Sequence, residues 1–111
     1  MGDRRMAEVK VTDGSLYVYT HWQGYAFLEM AEQALETARP RLGDDSYALR
    51  IVVDQLTKDG RDQETGYGLM LKPSAEDEYN HDEPSVIIDM VSQELTVIRD
   101  GTTTKTKFQD I

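Results

Sequence analysis

The sequence predicts a two-layer α+β sandwich, with two helices on one face of a mostly antiparallel sheet of four to six strands, in the order ββααβββ. Three observations carry this expectation. Two pairs of β-type runs are joined by short turns, and short turns force antiparallel pairing. Two helix-type runs lie between those pairs. Helices inserted between hairpins are placed to cover one face of the sheet. At 111 residues the chain has room for one core and is read as a single domain, residues 1–111, with ends at 1–5 and 102–111 that are prone to fraying.

Residues 6–11 and 15–20 form the first hairpin around Asp13-Gly14, a dipeptide that tolerates positive φ. In its second arm Leu16, Val18 and Thr20 alternate with Tyr17, Tyr19 and His21. If Leu16 and Val18 face the core, the two tyrosines and His21 share the other face; the reverse assignment would bury the tyrosines. Over 25–38 the residues Phe27, Met30, Ala31, Ala34, Leu35 and Ala38 recur at helical spacing, and Arg39-Pro40 ends the helix. Any of Asp44, Asp45 or Ser46 is placed to cap a second helix. Its Leu49, Ile51, Val52, Val53 and Leu56 make it apolar on two sides, which predicts the most buried element. Lys58-Asp59-Gly60 stops it. A short strand over 67–71 precedes an acidic, proline-bounded excursion from Pro73 to Pro84. Ser85 to Met90 and Glu94 to Arg99 make a second hairpin, and Thr102 to Phe108 adds a candidate edge strand whose lysines discourage further pairing.

Composition narrows the function classes. The chain has no cysteine, which excludes disulfides, thiolate nucleophiles and cysteine-bound metal centres and fits a reducing compartment. Neither a signal-peptide core nor an apolar run of about 20 residues is present, so the expected location is cytoplasmic, away from membranes. Net charge is −9, and residues 59–83 concentrate it, with eight acids against two bases. That balance opposes direct nucleic-acid binding, which needs clustered Lys and Arg. It allows a basic protein partner, or simply keeps the chain soluble.

Two segments hold the candidate sites. Tyr17, Tyr19, His21, Trp22 and Tyr25 crowd onto a strand-to-helix joint, a place where side chains point into the crevice made by the turn. They could bind a small ligand, with His21 as an acid–base group. Equally, Trp22 could plug a sheet–helix corner with His21 bonded to backbone. In the acidic excursion, Glu76, Asp77, Glu78, Asp82 and Glu83 suit a partner-binding surface or a solvated loop. No calcium-loop register or His-x-x-His pattern accompanies them, so neither a metal nor another cofactor is expected. The Gly60–Gly68 stretch matches neither a P-loop nor a dinucleotide fingerprint, and no serine sits in a nucleophile elbow.

Tyr19-Thr20-His21-Trp22-Gln23-Gly24-Tyr25, with Asp45-Ser46-Tyr47-Ala48 and Gly66-Tyr67-Gly68 downstream, resembles a group of small uncharacterised bacterial and bacteriophage proteins. Those proteins carry a Tyr-x-His-Trp-x-Gly signature at the end of an early strand. Many have Asp where this chain has Gln23, and the resemblance implies no catalytic residue. It implies a phage or mobile-element origin, where small acidic proteins often act by binding a host protein. The expected function is therefore a non-enzymatic, protein-binding accessory factor that uses the acidic loop and the aromatic joint. A small-ligand site at His21 and Trp22 is the alternative, with a small enzyme behind it. A homodimer through the exposed sheet face or the final edge strand remains open.

Overall fold

Strand β1 (Arg5–Val11) turns through Thr12-Asp13 into β2 (Gly14–Thr20), and Gly14 at φ 147° supplies the backbone that other residues resist. The computed structural model describes residues 5–20, 27–60, 62–71, 86–99 and 101–111. Helix α1 (Phe27–Ala38) passes through a 3-10 turn at Arg39–Arg41 into α2 (Asp45–Thr57). Then follow β3 (Tyr67–Met70), β4 (Val86–Asp89), β5 (Glu94–Arg99) and β6 (Thr102–Lys107). The fold is the predicted α+β sandwich, with the candidate edge strand present, so the order is ββααββββ. The sheet order is β3-β2-β1-β4-β5-β6. All neighbours are antiparallel except β1 and β4, which run parallel.

One sheet face carries the core. Ala7, Val9, Val18, Val86, Ile88 and Leu95 are buried there under both helices. The alternation therefore resolves with Val18 inward and Tyr17 and Tyr19 on the opposite face. Helix α2 is not the most buried element. It buries Ala48, Val52 and Leu56, whereas α1 buries Met30, Ala31, Ala34, Leu35 and Ala38. Ala31, Ala34 and Ala38 of α1 are fully buried in the core, while Leu49, Ile51 and Val53 only flank it. The expected cap also differs. Asp44 occupies the N-cap position without a side-chain bond to the helix amides, and its carboxylate instead accepts the Ser46 hydroxyl. Asp45 reaches across to accept the Thr12 amide at 2.9 Å, tying the hairpin turn to the helix start.

The C-terminal tail is docked. After β6 a 3-10 turn, Phe108–Asp110, swings the Phe108 ring into the core, where it is 2% exposed. Its amide donates to the Gln93 carbonyl, and its carbonyl accepts Arg39 Nη1 at 3.3 Å.

Candidate functional site

Because both helices sit on one side of the sheet, the other side has no helix over it among the described residues. Three cross-strand rows pattern it. Gly68, Tyr19 and Met6 lie in register in the first, and Ile98 shares this end of the face. The second runs Met70, Tyr17, Glu8, Ile87, Thr96 and Lys105. The third runs Ser15, Lys10, Asp89, Glu94 and Lys107. The face is thus polarised, with aromatic, Met and Ile side chains at one end and charges of both signs at the other. Met6 and Thr96 are shut off from solvent at 7% exposure each, although no helix among the described residues covers them. Around Thr96 the face sinks into a shallow depression of about 500 Å³ between Glu8, Ile87, Ile98 and Lys105.

Glu8 organises the centre. Its Oε2 accepts the Ser15 hydroxyl at 2.6 Å, and its carboxylate accepts the Tyr17 hydroxyl. Register explains the contact, since Glu8 and Tyr17 stand directly opposite on β1 and β2. Tyr17 ionises above its ordinary range, first because burial disfavours the phenolate, then because the Glu8 charge and hydrogen bond do so too. In the charged row, burial pushes the Asp89 carboxyl up. The Ser92 and Val91 amides, both donating to Oδ1 at 3.0 Å, and the nearby Lys10 charge outweigh that push and hold it below the usual range.

Of the sequence-predicted residues, Tyr17 and Tyr19 lie together on this open face. His21, Trp22 and Tyr25 fall outside the described residues, as do Glu76, Asp77, Glu78, Asp82 and Glu83. Their points of attachment are placed, however. Thr20, which precedes His21, pairs with Arg5, and Val86, which follows the acidic excursion, pairs with Ala7. The two segments therefore join the sheet on either side of β1, at its aromatic end. Sequence reasoning missed Glu8, which stands opposite Tyr17 and accepts the Ser15 hydroxyl. The signal was available, because a two-residue turn at Thr12-Asp13 fixes the pairing of every residue behind it.

Among the described residues no group of three or more His, Asp or Glu side chains is placed to hold a metal ion. No described helix is long and apolar enough to cross a membrane. Comparison with family models, with curated proteins and with solved structures finds no match for this chain.

Proposed function

We propose that the protein is a non-enzymatic binding domain whose contact surface is the aromatic end of the open sheet face. The observation that carries this reading is the arrangement on that face: Tyr17, Tyr19, Met70, Ile87 and Ile98 at one end, beside the buried Met6, and charges of both signs at the other. Tyr and Met are enriched in the centre of protein interfaces, and charges are relegated to the rim. The acidic excursion rejoins the sheet at the same end, which favours a partner with a basic surface beside an apolar patch. The Tyr-x-His-Trp-x-Gly resemblance supports reading the domain as an accessory factor of phage or mobile-element type.

The test is affinity capture from host lysate at about physiological ionic strength, followed by mass spectrometry, with two variants beside the wild type. Ile98→Asn removes apolar surface from the aromatic end. Charge reversal at Glu76, Asp77 and Glu78 removes acidity. The expected result is one protein recovered by wild type and lost with Ile98→Asn, and bound with a weaker salt dependence after charge reversal. Recovery of the same protein by all three, at equal salt sensitivity, overturns the reading.

A further inference from the structure

The pairing of Arg99 with Thr102 and the hydrogen bond from the Phe108 amide to the Gln93 carbonyl fix the phase of the last ladder. Directly opposite residues in an antiparallel pair alternate between exchanging both backbone bonds and exchanging none. Gln93 and Phe108 are a bonded pair, so Leu95–Thr106, Val97–Thr104 and Arg99–Thr102 are bonded too. Thr103, Lys105 and Lys107 consequently turn their N–H and C=O groups outward, away from β5. The edge they form is exposed yet firmly held, by the turn at one end and the buried Phe108 at the other.

On the helix side of the same edge lies a groove of about 570 Å³ that no helix fills. Its floor is Leu95 and Val97 with the β6 threonines, its wall is Leu28, and its charged side chains are two carboxylates, Glu32 and Asp110. On the open-face side the edge instead shows Lys105 and Lys107. From these placements we propose that β6 accepts an extended segment of a partner protein as a seventh strand. The segment carries apolar and basic side chains toward the groove and acidic side chains toward Lys105 and Lys107. Strand addition draws its affinity from main-chain bonds and its selectivity from alternate side chains. A second copy of this chain suits the edge poorly, because pairing β6 with its own equivalent sets four lysines along one seam between two chains of charge −9.

The probe is a capped peptide, Thr-Ile-Glu-Lys-Glu-Ile-Thr, whose Ile and Lys share one side and whose Glu residues share the other. Controls are the same composition with the alternation scrambled, and the same sequence N-methylated on the amides that face β6. Amide NMR of the full chain reports the site. Before peptide is added, the amides of Thr104 and Thr106 exchange slowly and those of Thr103, Lys105 and Lys107 exchange fast. With peptide, the last three shift and become protected. N-methylation, scrambling, or Lys105→Pro in the protein each weaken binding at least about tenfold, the equivalent of about one main-chain bond. Lys105→Pro removes an outward N–H, so it keeps the wild-type melting temperature, whereas Thr104→Pro breaks the ladder and lowers it. The proposal is overturned by no shift at millimolar peptide, by shifts elsewhere, by equal binding of the N-methylated peptide, or by concentration-dependent dimerisation that itself protects Thr103, Lys105 and Lys107.

Discussion

Replacing Phe108 with alanine tests how the C-terminal edge is held. A buried Phe removes about 150–250 Å² from water. At about 25 cal/mol per Å² of apolar area, truncation forfeits several kcal/mol of transfer energy, and the void left in the core adds to it. Measured Phe→Ala changes in cores run to about 3–5 kcal/mol, against a total stability of about 5–15 kcal/mol for a domain. For 111 residues the unfolding entropy makes each kcal/mol worth about 4 °C, so the midpoint should fall by about 12–20 °C. Urea titration followed by circular dichroism gives the free energy, and a thermal scan gives the midpoint. Ile111→Ala is the control. Its side chain is 37% exposed, and the change should stay within about 0.5 kcal/mol. A loss below about 1 kcal/mol for Phe108→Ala would refute the docked tail, and with it the rigid edge at β6.

Four further outcomes are expected. Gly60 is buried with the Tyr67 ring lying where a Cβ would be, so Gly60→Ala should destabilise by about 1–3 kcal/mol; a neutral result in the urea titration would contradict that contact. Gln93 sits at φ 58° in the β4–β5 turn, and Gln93→Gly should raise stability by about 0.5–1 kcal/mol, whereas a loss would mean that its side chain matters more than its backbone. Asp89 and Asp45 both ionise below their ordinary range when folded, so their contribution is present above about pH 4 and drains away as pH falls through the folded values. Urea midpoints measured down the acid range should therefore decline less steeply for Asp89→Asn than for wild type, and identical slopes would count against the amide and Lys10 contacts. Tyr17 has a raised value, so its contribution holds below about pH 10 and is lost as pH climbs through the folded value; in an ultraviolet titration Glu8→Gln should move its ionisation back toward normal, and no movement would remove Glu8 as a cause.

Much of the fold was legible because its determinants are local. The hairpin turn leading into Gly14, the proline after Arg39, and the alternation of Val86, Ile88 and Met90 with Ile87, Asp89 and Val91 each act within a few residues. What escaped is non-local. The parallel pairing of β1 with β4 depends on how the helices fold back, and no residue in either strand announces it. The burial ranking of the helices was not legible because Leu49, Ile51 and Val53 are apolar yet only flank the core, whereas the small Ala31, Ala34 and Ala38 are fully buried. Phe108 reads as the last residue of a polar strand until the 3-10 turn redirects it. At the candidate site, alternation placed Tyr17 and Tyr19 on a common face, but which face was open depended on the helices.

The single parallel ladder among the described strands has a kinetic meaning. It joins two parts of the sheet: β3-β2-β1 on one side, and the three-stranded meander β4–β5–β6 on the other. Four residue pairs, Ala7 with Val86 through Lys10 with Asp89, zip them together across most of the chain length. Hairpins close in microseconds, while a contact between distant segments waits for the intervening chain to be ordered. The zip is thus a late event, and Val9 and Ile88, buried on either side of it, act as its latch. Loosening that latch with Val9→Ala should quicken unfolding far more than it slows folding, and a chevron plot dominated by the folding limb would place the zip in the nucleus instead. The helix layer spans the same seam, since α1 packs on β4 and Arg39 holds the Phe108 carbonyl, so the two parts separate only when that layer lets go as well.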